Sequence, residues 1–111
     1  MSANQVVQVV ASACAPGKEA AFEKWYTEVH VPMLMEYEGV RQAGRYRLMG
    51  DADGAPKFLA FYEFESYEAL EGFGKSDVLA AALKDLEERK EEIGFTMVWA
   101  APYELIKSWE R

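Results

Sequence analysis

The sequence is short of the residues on which most metal, redox and cofactor chemistry depends. In 111 residues there is one histidine, His30, and one cysteine, Cys14. A single cysteine excludes an intrachain disulfide. With no second histidine to join Cys14, no zinc-ligand spacing exists, and no metal is expected. No run of 18 apolar residues occurs, and no apolar segment opens the chain. The expectation is therefore a cytoplasmic protein with no membrane partner. Twelve lysines and arginines stand against nineteen aspartates and glutamates, a net charge of −7. That balance is no footprint for nucleic acid. No phosphate-binding glycine loop or dinucleotide fingerprint appears, so no cofactor is expected.

What the chain does have is apolar and aromatic mass. Half of its residues are apolar and 14% are aromatic, enough for a core and for rings that line a ligand cavity. The length fits one domain, residues 1–111. Charge is unevenly placed. Residues 1–50 carry five basic and five acidic side chains; residues 51–111 carry seven and fourteen. Arg41, Arg45 and Arg47 form a basic run with no acidic residue between Glu38 and Asp51.

Gln5 to Ala13 reads as a valine-rich strand, with Val7, Val9 and Ala11 on one face and the more polar Val6, Gln8, Val10 and Ser12 on the other. A helix is predicted from Lys18 to Tyr37, stopped by Gly39. Val40 to Met49 is a second strand, turned by Gly50-Asp51-Ala52-Asp53-Gly54 into a third, Lys57 to Glu65, whose faces are both largely apolar. Ser66 caps a short helix from Tyr67 to Phe73, and Ser76 or Asp77 starts a longer one to Ile93. Its charge run, Lys84-Asp85 and Glu87 to Glu92, reads as a solvated face with pairs such as Asp85–Arg89. Phe95 to Ile106 is the last strand, broken by Pro102.

The order βαββαβ is the ferredoxin-like plan: an α+β domain with a four-stranded antiparallel sheet and helices on one face. The other face is too apolar for water, so a homodimer with two sheets face to face is expected.

One stretch organises the rest, Trp25-Tyr26-Thr27-Glu28-Val29-His30-Val31-Pro32-Met33-Leu34. Phe22, Trp25, Tyr26, Val29, Met33 and Tyr37 form one helical arc, and His30 falls at its edge, four residues from Tyr26. Pro32 removes the N–H that the Glu28 carbonyl would accept from and disfavours helical geometry at Val31, so the helix is expected to bend or pause at His30–Val31. Two readings stand for His30: a partly buried residue with a bonded nitrogen, or an acid/base group beside a cavity.

The pattern Phe22-x-x-Trp25-Tyr26-x-x-x-His30-x-Pro32-Met33-Leu34, followed by Gly39-Val40, Arg45-Tyr46 and Phe61-Tyr62-Glu63-Phe64, resembles the EthD-like branch of the dimeric α+β barrel superfamily. The resemblance spans Val6 to Tyr103. It implies a homodimer with a small-molecule pocket between sheet and helices, and it places His30 in that pocket. The superfamily includes cofactor-free monooxygenases, cyclases, isomerases and haem-degrading enzymes, so it does not imply one reaction.

The expected site follows from chemistry. His30 is the candidate acid/base, since imidazole both takes and gives a proton near neutrality. Arg45 is the candidate anion holder, with Tyr26 or Tyr62 as donor. Trp25, Met33, Arg47, Tyr62, Met97, Trp99 and Tyr103 are candidate substrate contacts. Edge-strand solubility for Arg45 and Arg47, and core or dimer packing for Tyr62, Met97 and Trp99, are the plainer readings. Which strand face lines the cavity stays open, because one residue of register exchanges the two sets. The expected function is a cofactor-independent enzyme moving a proton on an aromatic, polyketide-like or lactone substrate. The alternatives are a non-catalytic binding or stress-related dimer and, third, haem ligation by His30.

Overall fold

Strand β1 (Val6–Cys14) leads through a tight turn into helix α1 (Glu19–Trp25). This computed structural model describes residues 5–111. Helix α1 continues through a π-helical turn, Tyr26–His30, into α2 (Val31–Leu34). Then come β2 (Val40–Arg47), β3 (Phe58–Phe64), α3 (Tyr67–Gly74), α4 (Asp77–Ile93) and β4 (Phe95–Glu104). The four strands form one antiparallel sheet in the order β2-β3-β1-β4. This is the expected ferredoxin-like arrangement.

Local chemistry sets the element ends. Gly50 and Gly54 supply the positive φ angles of the β2–β3 turn, closed by Leu48 N–H donating to Lys57 C=O at 2.8 Å. The Ser66 and Ser76 hydroxyls accept from Ala69 N–H and Leu79 N–H and cap α3 and α4. Gly94 ends α4 at φ +69°, and its carbonyl accepts from Ala15 N–H at 2.9 Å. Pro102 does not break β4, contrary to the sequence reading. The strand lies at the sheet edge and pairs with β1 alone, so a missing donor is tolerated.

Cross-strand partners share a sheet face. The pairs Val6↔Phe64, Gln8↔Tyr62, Val10↔Ala60 and Ser12↔Phe58 lie beneath the helices. There Phe22, Trp25, Tyr26, Leu34, Val40, Phe58, Ala60, Tyr62, Phe64, Phe73, Ala82 and Ile93 build the core. Burying a side chain such as Phe22 or Phe64 contributes about 1.5–3 kcal/mol. A bulge between Val40 and Gln42 brings Val40, Ala43, Arg45 and Arg47 to this same side. On the opposite face lie Val7, Val9, Ala11, Leu59 and Phe61, joined by Trp99 and Tyr103, which are 40% and 52% exposed.

Candidate functional site

The predicted break at Pro32 takes another form. Val31 stays helical at φ −61°, ψ −46°, and its N–H donates to Tyr26 C=O, five residues back. The helix absorbs the proline by widening one turn rather than stopping, and Pro32 then occupies the first turn of α2, where its missing N–H has no cost. The wider turn repositions rings. In a regular α-helix residues 25 and 30 would lie about 140° apart around the axis. The i→i+5 closure brings them onto one side. Trp25 stacks on His30 with ring centroids 4.5 Å apart, and Tyr26 meets His30 edge-on at 5.3 Å.

The rings of Tyr26 and His30 form one wall of a cavity of about 380 Å³ between the sheet and the helices. Leu34, Leu70, Phe73, Leu79, Leu83, Leu86, Phe95 and Met97 supply much of its apolar lining, and Val10 and Ala100 form part of its floor. Its polar side chains are Gln8, Tyr26, His30 and Tyr62. His30 is 7% exposed, and its Nδ1 has no hydrogen-bond partner. The Tyr62 hydroxyl is likewise buried without a partner. The Tyr26 phenol sits beside it, close enough to affect its ionisation without completing a hydrogen bond of ordinary geometry.

Burial governs the protonation of all three groups. It lowers the His30 pKa from 6.5 to about 4, opposed by the negative charge of Asp85. The imidazole is therefore neutral at pH 7. Burial also raises the Tyr26 phenol, and raises the Tyr62 phenol well above its usual value, with Arg45 pulling the other way in both cases. Both tyrosines remain hydrogen-bond donors at neutral pH.

The structure divides the remaining predicted site residues. Met97 lines the cavity. Trp25 does not, but holds His30 from behind, with its indole N–H donating to Asp85 Oδ2 at 2.8 Å. Met33 packs against the core. Arg45 is not placed as an anion holder. Its guanidinium lies over the Tyr26 ring at 4.4 Å, pairs with Glu23 at 2.7 Å and donates to Thr27 Oγ1 at 2.8 Å. Arg47 shares Glu23 at 3.5 Å on an exposed rim. Trp99 and Tyr103 project from the face of the sheet away from the cavity, because their β1 partners Ala11 and Val7 do.

Two residues were passed over in the sequence. Gln8 reaches the cavity from β1, directly across from Tyr62. Its signal was a lone amide inside a valine run. Asp85 was read as part of a solvated charge run, yet it accepts from both Trp25 and Arg89. Its signal was its place three residues after Ala82, at the margin of the apolar stripe of α4.

Among the described residues, no group of three or more histidine, cysteine, aspartate or glutamate side chains could hold a metal ion. No helix there is long and apolar enough to cross a membrane.

Residues 5–93 match the model of a family described as a domain of unknown function, DUF4286. The chain belongs to the DUF4286 family. No curated protein sequence matches this DUF4286 chain. Solved structures do. An ethyl tert-butyl ether D (EthD) family protein from Bacillus halodurans C-125 is 22% identical, with 91% of this chain and 99% of that one covered and a TM-score of 0.68. SnoaB, a cofactor-independent oxygenase from Streptomyces nogalater, is 12% identical over 98% of this chain and 100% of its own, with a TM-score of 0.69. A dimeric protein of unknown function and ferredoxin-like fold from Bacteroides fragilis NCTC 9343 is 14% identical over 95% and 100%, with a TM-score of 0.63. The likeness to EthD-like proteins holds at the level of the fold.

Proposed function

We propose that this DUF4286 protein is a cofactor-independent enzyme that moves a proton on a small aromatic or polyketide-like molecule. The observation that carries the reading is that His30 and Tyr62, whose Nδ1 and hydroxyl are buried and unpartnered, both line one apolar cavity. Each such group costs about 1–3 kcal/mol when left unsatisfied. A ligand that offers a complementary polar edge recovers that cost.

In this reading His30, neutral at pH 7, accepts a proton from an acidic C–H or O–H of the substrate. Negative charge then develops on a substrate oxygen, and the Tyr62 hydroxyl donates to it. The imidazolium returns the proton at another atom, so isomerisation and cyclisation balance with no co-reactant; oxygenation would add dioxygen as a second substrate. Asp85, behind Trp25, favours the transient imidazolium. The low basicity of His30 favours a second reading, in which the same cavity binds a ligand and performs no chemistry.

The functional unit in this proposal is a homodimer. The apolar sheet face that carries Val9, Phe61 and Trp99 is its interface, and the Bacteroides fragilis structure of the same fold is dimeric. Size exclusion with light scattering should return about twice 12.6 kDa. Phe61→Glu should return the monomer mass. A wild-type monomer at micromolar concentration would remove the dimer from the proposal.

The reaction is tested with a thermal-shift screen of hydroxyquinones, aromatic hydroxyketones and lactones, followed by turnover assays on the binders. His30→Ala should lower turnover about 10²–10⁴-fold while costing about 1–3 kcal/mol of stability. Turnover at the wild-type rate in His30→Ala excludes the acid/base role. Binding with no turnover in the wild type selects the second reading.

A further inference from the structure

We infer that the cavity selects an uncharged, elongated ligand that is bound polar end inward, with Gln8 as the residue that reads that end. The inference rests on the cavity being the ligand site, as proposed above. Three observations carry it.

The cavity lining contains no lysine, arginine, aspartate or glutamate. Two formal charges near its polar end, Arg45 and Asp85, are held behind its aromatic wall. Arg45 lies against Tyr26 and is paired with Glu23. Asp85 lies beyond Trp25, bonded to that indole and to Arg89. A carboxylate or ammonium drawn into this space would lose its hydration and meet no opposite charge, which is the costly form of burial.

The polar groups are gathered at one place. Gln8 and Tyr62 are cross-strand partners on the sheet floor, and His30 stands on the helical wall. None of the three side chains makes a hydrogen bond of ordinary geometry among the described residues, although the Tyr26 phenol lies beside the Tyr62 hydroxyl. Gln8 offers an acceptor and two donors, Tyr62 a donor, and His30 one of each. That set matches a hydroxyl and a carbonyl on one edge of a neutral molecule.

The far end is open and mostly apolar. A second groove, of about 480 Å³, shares Leu83, Leu86, Phe95 and Met97 with the cavity and runs out between α4 and β4. Leu83 and Met97, both about half exposed, form its mouth. Glu87 and Lys90 also line this groove, paired with each other at 3.0 Å, so together they add no net charge. The ligand therefore has room to extend from the polar end along a mostly apolar slot to the surface.

The test compares three probes of one shape on the full-length protein at pH 7: 1-naphthol, 1-naphthoate and naphthalene. The neutral polar probe should bind at least about tenfold more tightly than either of the others. Gln8→Leu should reduce 1-naphthol affinity about three- to tenfold and leave naphthalene unchanged. Equal or tighter binding of 1-naphthoate overturns the selection against charge. Equal binding of naphthalene, or no effect of Gln8→Leu, overturns the polar-end assignment. Binding of none of the three overturns both this inference and the cavity as a ligand site. Selective binding of 1-naphthol in a protein with no His30-dependent turnover leaves the inference standing and removes only the enzymatic reading.

Discussion

The indole of Trp25 lies flat against the imidazole of His30, their ring planes inclined by 23° and their centroids 4.5 Å apart. They are five positions apart in the chain, so the contact depends on the π turn that the helix makes between Tyr26 and His30. The same turn directs the histidine into the cavity and lets the helix run through Pro32. The sequence reading placed His30 at the rim of an apolar arc; the structure buries it to 7% exposure.

Burial of His30 makes stability depend on pH. Its pKa in the folded protein is about 4, below the ordinary 6.5. Between those values the unfolded chain takes up a proton that the folded chain refuses. The contribution is fully present above pH 6.5 and is lost as pH falls towards 4, up to about 3 kcal/mol. Urea unfolding of the wild type and of His30→Gln, which does not titrate, isolates the effect from the carboxylates. The stability difference between the two should move in favour of His30→Gln as pH falls from 7 to 4. Parallel pH curves would show that the imidazole titrates as it does in water.

Asp85 should be felt at His30 through Trp25. Asp85→Ala leaves a buried indole N–H without its acceptor and should cost about 1–2 kcal/mol. Asp85→Asn keeps an acceptor and should cost less. Both remove a negative charge that raises the His30 pKa, so in both an NMR titration should place the imidazole lower than in the wild type. An unchanged titration in Asp85→Asn would show that the carboxylate does not reach the ring electrostatically.

Arg45 should matter for stability and not for ligand affinity. It was expected to hold an anionic group. In the structure it joins β2 to α1 through Glu23, Thr27 and the face of Tyr26. Arg45→Ala should cost about 0.5–1.5 kcal/mol, a modest value because the ion pair is partly exposed. Affinity for a neutral cavity probe should stay within about twofold of the wild type. A tenfold loss of affinity at unchanged stability would return Arg45 to the site.

Much of the fold was legible because its determinants are local. Alternating apolar residues, the Gly50–Gly54 turn, the serine caps at Ser66 and Ser76, and Gly94 each act within a few residues of themselves. The helical arc of Phe22, Trp25, Tyr26 and Val29, with His30 beside it, was likewise readable from spacing. The candidate site was legible in Tyr26 and His30, and on the strands only as an undivided set, since Tyr62 and Met97 were named together with Trp99 and Tyr103. Pattern cannot choose a face for a strand that is apolar on both sides, and two bulges, at Val40/Gln42 and Ala11/Ser12, reset the alternation that a sequence reader counts.

By itself, then, the sequence determined the order of elements, their turns and caps, the absence of an intrachain disulfide and the presence of His30 beside a proline in an aromatic helix. Only the tertiary structure decided which side chains meet. Strand register sent Tyr62, Met97 and the overlooked Gln8 to the cavity and turned Trp99 and Tyr103 away from it. Packing of α4 against α1 drew Asp85 out of a charge run to Trp25, and Glu23 engaged the arginine that had looked free. The physical reason is one of range. Backbone preferences and caps act over a few residues, whereas a cavity is made by residues as far apart in the chain as Gln8, His30, Tyr62 and Met97, whose meeting is set by the packing of the whole sheet against its helices.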